Sequence, residues 1–281
     1  MKVQTAPLVC LCGNKRFREI FTYTAPPKLE IKFQFNPSQS YRRKVQQCEV
    51  CGHFQSVHTM DVSKLYSGQY VSSTYGGEDG ILLAFNRIIS LDPSKSDNFG
   101  RVSRIREFAQ KHFSDRPGIE ELPSVLDVGS GLCVFLHAMK KAGWNCTALD
   151  PDERSVRHAQ KTVQIKAVEG DFMIVPDLGR FDVLTFNKVL EHVEDPVGML
   201  AKSSHHLNKN GFVYVEVPDG EAAATAGPER EEFAIDHIHI FSLTSLSLLA
   251  TQAGFDVLLV ERLQEPSTKY TLRAFLIPKG K

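Results

Sequence analysis

A regular alternation of short apolar runs and amphipathic segments between residues 121 and 219 constrains this chain more than any other feature. Such an alternation predicts a mostly parallel sheet whose faces are covered by helices. The predicted strands are SVLDV, NCTALD, QIKAVEG, FDVLTFN and GFVYVEVP, and the helices between them cover about 134–142, 152–161 and 196–207. FDVLTFN is almost wholly apolar, which is typical of a strand buried on both faces. The sequence therefore predicts an α/β fold.

The residues after 219 extend this pattern. Ser242 precedes a helix predicted over 243–253, and Gly254 follows it as a stop signal. FDVLLVERL and TLRAFLIP then predict two further strands. The Asp195-Pro196 pair predicts the start of the preceding helix, with Asp195 as its N-cap.

The charge balance limits the classes of partner. The 33 Lys and Arg residues equal the 33 Asp and Glu residues, so the formal net charge is zero. This balance argues against strong attraction to nucleic acid or to an anionic membrane. No apolar run approaches the ~18 residues of a membrane span, and the first apolar run is too short for a secretory signal. We therefore expect a cytoplasmic protein whose six cysteines are reduced, without nucleic-acid or membrane partners.

Composition divides the chain into three parts. Residues 1–60 hold four of the six cysteines and are expected to form a small module. Residues 61–120 are a mixed connector with the Gly- and Ser-rich string YSGQYVSSTYGGEDG, which we expect on the substrate side. Residues 121–281 form the α/β domain. The sequence leaves a monomer and a homodimer equally open.

VLDVGSG is the most informative string, because a buried strand ends at Asp127-Val128 and a glycine turn then opens a helix. Glycines allow a ligand to lie against the backbone, and the free N–H groups at a helix start face that ligand. Nicotinamide and flavin enzymes share such turns. Here Asp127 would repel a pyrophosphate but attract a methionine ammonium group, and the third glycine of the dinucleotide fingerprint is missing.

Three later strings add polar groups at strand ends. Asp150 closes NCTALD, where a carboxylate accepts from both ribose hydroxyls, although an N-cap role is the alternative. In EGDF, Asp171 suits an adenine amino group and Phe172 the adenine ring, with a surface turn as the alternative. Asn187 ends FDVLTFN and faces the crevice outside the strand ends.

Paired cysteines mark the N-terminal module. Cys10-Leu11-Cys12-Gly13 and Cys48-Glu49-Val50-Cys51-Gly52 are two turns, each closed by a glycine. Four thiolates in tetrahedral geometry suit structural Zn²⁺. FREIFTYT and YRRKVQQ between them predict ribbon strands. His53 or His58 is an alternative fourth ligand, and four unliganded thiols are the remaining alternative.

In this order, VLDVGSG, LD, EGDF and FDVLTFNKVLEHVEDP resemble the successive motifs of class I S-adenosylmethionine-dependent methyltransferases over about 120–280. The resemblance implies a Rossmann-like, mostly parallel seven-stranded sheet with an antiparallel C-terminal strand, and S-adenosylmethionine as cofactor. It implies that the methionine part, the ribose and the adenine are held at successive strand ends. The expected cofactor residues are Asp127, Gly129, Ser130, Gly131, Asp150, Pro151, Asp171, Phe172 and Asn187. Cys133 stands where many members carry glycine.

Cysteine pairs ahead of this domain, with IDHIHIFS behind it, resemble the zinc-containing sugar methyltransferases of polysaccharide and deoxysugar pathways. The resemblance implies structural zinc on Cys10, Cys12, Cys48 and Cys51, and a sugar or nucleotide-sugar acceptor. It also implies a substrate role for a tyrosine-containing segment, here Tyr70 and Tyr75 in YSGQYVSSTYG, and for an acidic-His pair, here Asp236-His237.

Histidines are the candidates for proton removal, which an oxygen or carbon acceptor requires. An extended IDHIHIFS segment would place His237 and His239 on one side. His237 is the first choice of general base, with Asp236 or Glu191 as its orienting partner, and His192 is a further candidate. The alternative is that these histidines make structural hydrogen bonds.

Three functions compete. The first is C- or O-methylation of a small polar acceptor, such as a sugar or nucleotide-sugar. The second is methylation of an RNA base, which the zero net charge disfavours. The third is a non-catalytic zinc-ribbon interaction protein, which the intact set of Asp127, Gly129, Gly131 and Asp150 disfavours.

Overall fold

The computed structural model describes residues 9–28, 30, 40–60, 78–114 and 122–280. Its strands are β1 (Phe17–Tyr23), β2 (Arg43–Cys48), β3 (Phe54–His58), β4 (Ser124–Val128), β5 (Asn145–Asp150), β6 (Lys166–Glu169), β7 (Phe181–Asn187), β8 (Leu207–Pro218), β9 (His239–Ile240), β10 (Phe255–Gln264) and β11 (Tyr270–Pro278). Its α-helices are α1 (Glu78–Ile89), α2 (Asp97–His112), α3 (Val134–Lys141), α4 (Glu153–His158), α5 (Pro196–Ser203), α6 (Gly220–Ala226) and α7 (Leu243–Gln252).

A seven-stranded sheet in the order β10-β11-β8-β7-β4-β5-β6 forms the centre of the α/β part. The five strands from β8 to β6 are parallel, and β11 pairs antiparallel with both β8 and β10. Apolar side chains on both faces of this sheet are buried beneath the helices. The predicted α/β fold, with a mostly parallel sheet and antiparallel C-terminal strands, is confirmed.

Two helices begin at polar N-caps, and one of them is followed by a glycine, as the sequence indicates. A side-chain oxygen of Asp195 accepts a hydrogen bond from the Gly198 N–H over 2.8 Å, with Pro196 in the first turn of α5. Ser242 and Ser245 cap α7 reciprocally, and Gly254 follows with a φ of +83°. Within the described part of the chain, no helix combines the length and apolar character that crossing a membrane requires.

Two predicted boundaries differ from the structure. The helix expected over 152–161 stays α-helical only to His158 and then continues as a π-helical turn over Ala159–Val163. The helix expected to reach residue 207 ends at Ser203, and β8 already begins at Leu207, which is fully buried and pairs with Phe181. Burial of Leu207 against the sheet therefore outweighs the helical pattern.

The N-terminal module shares a sheet with the C-terminal part of the chain. β1, β2 and β3 form an antiparallel ribbon, and β9 joins its edge through Phe54–Ile240 and Gln55–His239 pairs. The predicted strands in FREIFTYT and YRRKVQQ are thus confirmed. The partner strand β9 belongs to the IDHIHIFS segment, which the module consequently holds in place.

A buried ion pair reinforces this junction. Arg43 and Glu30 are joined over 3.2 Å with side chains 0% and 2% exposed. Glu30 also accepts from the Ile235 N–H over 2.6 Å, and the Tyr23 hydroxyl donates to the Pro228 carbonyl over 2.8 Å. The division of the chain at residues 60 and 120 stays a prediction.

Candidate active site

The carboxyl ends of β4, β5 and β7 meet at one edge of the large sheet. Val128 of β4 lies opposite Leu149 of β5 and Phe186 of β7. The N–H groups of Gly129 and Ser130 both donate to the Leu149 carbonyl, over 2.8 and 3.1 Å. Ligands of α/β proteins bind outside such strand ends. The fold therefore brings the expected cofactor residues of these strands to one place.

The glycine turn after β4 is closely packed at Gly129 and open at Gly131. Gly129 and Gly131 have φ values of +69° and +48°. A Cβ on Gly129 would lie 2.8 Å from a methyl carbon of Val189, whereas a Cβ on Gly131 would meet nothing within 4 Å. Cys133 also has a positive φ, +54°, a conformation that glycine adopts without the cost that other residues incur. This explains physically why glycine suits that position.

Asp127 is a buried carboxyl with two hydrogen-bond donors. It is 2% exposed, and its Oδ1 accepts from the Thr185 hydroxyl over 2.6 Å and the Asn187 amide over 2.7 Å. Burial raises the pKa of Asp127 to about 7, and these two hydrogen bonds oppose that rise only in part. Ionised Asp127 is thus stabilised by any cation that binds beside it.

Two buried polar oxygens just after β4 and at the end of β7 have no hydrogen-bond partner among the described residues. They are Oδ1 of Asn187 and Oγ of Ser130. Buried polar atoms are normally hydrogen-bonded, so each such atom indicates a missing partner. Together with Asp127, they fit the ammonium group of a methionine moiety.

Asp150 connects the end of β5 to the glycine turn. Its Oδ2 accepts from the Gly131 N–H over 2.8 Å and its Oδ1 from the Asp152 N–H over 2.9 Å. Burial raises the pKa of Asp150, and these N–H groups oppose the rise. The alternative N-cap role is wrong for Asp150, because Asp152 caps α4 by accepting from the Arg154 N–H. Pro151 follows Asp150 as an exposed residue.

Asp171 and Phe172 lie just beyond the end of β6 in different environments. Asp171 is exposed, and its Oδ1 accepts from the Met173 N–H over 2.8 Å. Phe172 is 2% exposed, with its ring centroid 5.7 Å from that of Phe186 and 5.6 Å from that of His206. The ring expected to pack on adenine is therefore enclosed by protein, and Asp171 is the group open to solvent.

Glu191, His192 and His237 converge on the other side of the glycine turn, in a group that we call the Glu191 cluster. Each offers one ligand atom, and these three atoms lie within 4.8 Å of one another. The loop that carries Glu191 and His192 touches the glycine turn through Val189 and Gly129. The cluster consequently borders the strand ends on which the cofactor is expected.

The expectation that His237 and His239 share one side is wrong. His237 lies in a turn, where its N–H donates to the Ala234 carbonyl over 3.1 Å, so the segment is not extended there. The His237 ring lies 4.9 Å from that of His192, whereas the His239 ring lies 5.2 Å from that of His53. His237 Nδ1 is paired with the Glu232 carbonyl over 2.8 Å, which orients the ring instead of Asp236 or Glu191.

His239 belongs to a buried connection with the cysteine module. His53 lies between His239 Nδ1 at 3.0 Å and the Ser245 hydroxyl at 3.2 Å. Burial lowers the pKa of His239 to about 4, so its imidazole is neutral at physiological pH. Tyr70 and Tyr75, expected on the substrate side, lie outside the described residues.

The four N-terminal cysteines form a compact group in the described structure. The sulfur atoms of Cys10 and Cys51 are 3.3 Å apart, and those of Cys12 and Cys48 are 3.6 Å apart, with all four within 4.8 Å of one another. Burial opposes ionisation of Cys48, but hydrogen bonds from neighbouring N–H groups outweigh it and lower the pKa to about 6. The donor set fits a tetrahedral zinc ion.

No local sequence pattern indicates the ion network around Glu216 of β8. Glu216 is fully buried and pairs with Arg101 of α2 through two hydrogen bonds. The Tyr214 hydroxyl also donates to Glu216 over 2.7 Å, and Arg273 lies 3.5 Å away. Sequence reasoning missed this network because its members are separated by long stretches of chain.

The sequence is similar to that of known methyltransferases. The ubiquinone biosynthesis O-methyltransferase of Caulobacter vibrioides is 29% identical over 126 residues, which cover 41% of this chain and 50% of that protein. The chain thus spans about half the length of this relative.

Solved structures share the fold. Magnesium protoporphyrin IX methyltransferase from Synechocystis superposes with a TM-score of 0.55 at 14% identity, covering 77% of this chain and 100% of that one. The Burkholderia thailandensis 1,6-didemethyltoxoflavin-N1-methyltransferase gives 0.52 at 15% identity, covering 90% and 99%.

The parallel sheet, the glycine turn and the carboxylates at adjoining strand ends define a class I methyltransferase. A family model described as a methyltransferase domain matches residues 95–260, more than half of the chain. The chain belongs to that methyltransferase-domain family.

Proposed function

We propose that this protein transfers a methyl group from S-adenosylmethionine to a small polar acceptor, a sugar or nucleotide-sugar, at carbon or oxygen. The main support is the presence of two carboxyls at neighbouring strand ends, next to the glycine turn. Asp127 accepts from the Asn187 amide over 2.7 Å, and Asp150 accepts from the Gly131 N–H over 2.8 Å. Bound S-adenosylmethionine supplies both the methyl group and its leaving group.

The residues of the site divide the binding work. Asp127, Asn187 and Ser130 accept from the methionine ammonium group, and the open backbone at Gly131 lies against the methionine part. Asp150 accepts from the ribose hydroxyls with the lone pairs that its two backbone donors leave available.

The adenine lies at the next strand end. Asp171 is its exposed polar contact, and Pro151 borders it. Phe172 supports this wall from beneath through its packing on Phe186.

The acceptor binds beside the Glu191 cluster. His237, with Glu191 and His192, assists the loss of the acceptor proton. This role is supported by the contact between the Val189 loop and Gly129 and by the hydrogen bond that orients His237. His239 is better suited to a structural role, since it is 6% exposed and bonded to His53.

Structural zinc on Cys10, Cys12, Cys48 and Cys51 completes the proposal. The zinc would fix the two cysteine turns next to β3, whose edge pairs with β9. Through that pairing the module positions the segment that carries His237.

A phenolic hydroxyl is the second candidate acceptor, because the relative from Caulobacter vibrioides is a ubiquinone biosynthesis O-methyltransferase. Incubation with methyl-labelled S-adenosylmethionine and parallel sets of nucleotide-sugars, catechols and RNA separates the acceptors. We expect label in a nucleotide-sugar. Label confined to a catechol or to RNA would overturn the sugar assignment, and binding without transfer to any acceptor would favour the non-catalytic alternative.

A further inference from the structure

Glu191 is a buried carboxylate that lacks a partner. Its side chain is fully buried, and neither Oε1 nor Oε2 has a hydrogen-bond partner among the described residues. The nearby Lys188 ammonium donates to the Thr271 hydroxyl over 3.0 Å instead. A buried charge without a partner is costly, and such charges in proteins are normally paired or bound to a metal. We therefore expect a cation next to the Glu191 carboxylate.

The two histidines of the Glu191 cluster are held in a suitable tautomer. His192 Nδ1 is 2.9 Å from the Asp236 carbonyl, and His237 Nδ1 is 2.8 Å from the Glu232 carbonyl. A carbonyl oxygen only accepts, so each Nδ1 carries the proton and the lone pair lies on Nε2. Metal-binding histidines are usually oriented in this way, by a second hydrogen bond to a carbonyl or carboxylate.

Main-chain hydrogen bonds join the two segments that carry the Glu191 cluster. The Glu191 carbonyl accepts from the N–H groups of Ile238 and His239, over 2.8 and 3.1 Å. The loop carrying Glu191 and His192 is thereby tied to the segment carrying His237. The three side chains are consequently positioned by main-chain contacts that exist without any ion.

We propose that Glu191, His192 and His237 form a second metal site, distinct from the four cysteines, which binds one divalent first-row cation such as Mn²⁺, Fe²⁺ or Co²⁺. Two imidazoles and one carboxylate are the donor set that these ions bind while keeping coordination positions open. The cation neutralises Glu191, and its open positions accept water or an oxygen of the acceptor.

The role of this cation rests on the proposed function. A hydroxyl that binds the cation loses its proton more readily, because the cation stabilises the resulting oxyanion. The acceptor oxygen then forms a bond to the methyl carbon while the carbon–sulfur bond breaks, and the electron pair of that bond stays on sulfur. The hydroxyl proton passes to water. In this mechanism His192 and His237 assist the loss of the acceptor proton as ligands of the cation.

The test uses Mn²⁺ as the probe, on protein supplied with one equivalent of zinc per chain, which the four thiolates bind in preference to the Glu191 cluster. Mn²⁺ prefers oxygen and imidazole ligands to thiolates, so it does not compete for the cysteines. Electron paramagnetic resonance measures free Mn²⁺ during the titration. We expect one bound Mn²⁺ per chain, and affinities at least tenfold weaker in Glu191→Gln and in His237→Gln.

Matched controls are Glu194→Gln, an exposed carboxylate of the same loop, and His205→Gln, an exposed histidine; both should bind Mn²⁺ like the wild type. His237 is only partly buried, so His237→Gln remains informative if Glu191→Gln does not fold. Absence of Mn²⁺ binding in the wild type, or equal affinity in His237→Gln, overturns the metal site. Calorimetry of S-adenosylmethionine on the same samples distinguishes that result from failure of the proposed function.

Discussion

At the scale of single residues, the proposed contact between Asp127 and the methionine ammonium group would make cofactor binding dependent on pH. Its pKa of about 7 results from burial, and an ammonium group binds more strongly to the ionised form. Ionisation falls from about three quarters at pH 7.5 to about one tenth at pH 6, so affinity for S-adenosylmethionine should weaken roughly eightfold. Calorimetry at the two pH values checks this, and Asp127→Asn should bind weakly at both. A wild-type affinity that is unchanged at pH 6 contradicts this role of Asp127.

The raised pKa of Asp127 also makes the free energy of unfolding depend on pH. The folded-state pKa of Asp127 lies above the unfolded value of about 3.9. Its stabilising contribution is therefore fully present below pH 4 and is lost as the pH rises through about 7. In the absence of cofactor, Asp127→Asn should gain unfolding free energy relative to wild type between pH 5 and pH 8 in urea titrations. A constant difference across this range would show that Asp127 does not titrate as described.

Asp150 supplies the second test at this scale. Asp150→Ala should weaken binding of S-adenosylmethionine by about 1–3 kcal/mol, because charge-assisted hydrogen bonds to the ribose are lost. Asp152→Ala is the matched control, since Asp152 caps α4 two residues away without a predicted ligand contact. Equal affinities for the wild type and Asp150→Ala would remove Asp150 from the site.

Local sequence suffices to predict the positions of Asp127, Gly131 and Asp150, because both carboxyls lie at the ends of apolar strands, Gly131 lies in the turn after the first strand, and parallel strands end at one edge. It does not suffice for Thr185, whose hydroxyl reaches Asp127 only through strand pairing. Nor does it show that Phe172 turns into the core.

At the scale of elements, the cysteine turns and β3 form the unit that zinc should stabilise. We expect one zinc per chain by elemental analysis, and we expect Cys48→Ser to lose that zinc and to lower the thermal unfolding midpoint. Structural zinc contributes directly to folding free energy. Cys146→Ala is the control, because Cys146 is a buried thiol of the large core. Loss of zinc from Cys146→Ala, or its retention in Cys48→Ser, would contradict the assignment.

The ribbon strands β1 and β2 could be predicted because their apolar and polar residues alternate between turn signals. Their extension by β9 could not, because a strand of two residues carries no periodicity. The position of His239 beside His53 depends on that pairing. The same limitation explains why His237 and His239 were expected on one side.

At the scale of the whole molecule, Glu216 and Arg101 join α2 to the sheet. Three neighbouring cations, Arg101 foremost, hold the pKa of Glu216 well below its usual range despite burial. Arg101→Met should therefore cost about 3–5 kcal/mol of unfolding free energy, because Glu216 loses its main partner. Urea unfolding measures this, with Arg106→Met on the exposed side of α2 as control. Similar stabilities for the two variants would show that the pair does not hold the helix.

The mostly parallel sheet could be predicted from the sequence, because the alternation of strands and helices is typical of βαβ units. The packing of α2 was not, since it depends on ion pairs between residues more than a hundred positions apart. The Glu191 cluster likewise depends on tertiary contacts between the Glu191 loop and residues 232–239, which no local pattern indicates.

The most direct measurement is a crystal structure with S-adenosylhomocysteine bound. We expect its amino group within hydrogen-bond distance of Asp127 and Asn187, and its ribose hydroxyls within hydrogen-bond distance of Asp150. A nucleoside bound elsewhere, or strand ends filled by protein side chains, would contradict the assignment of the site.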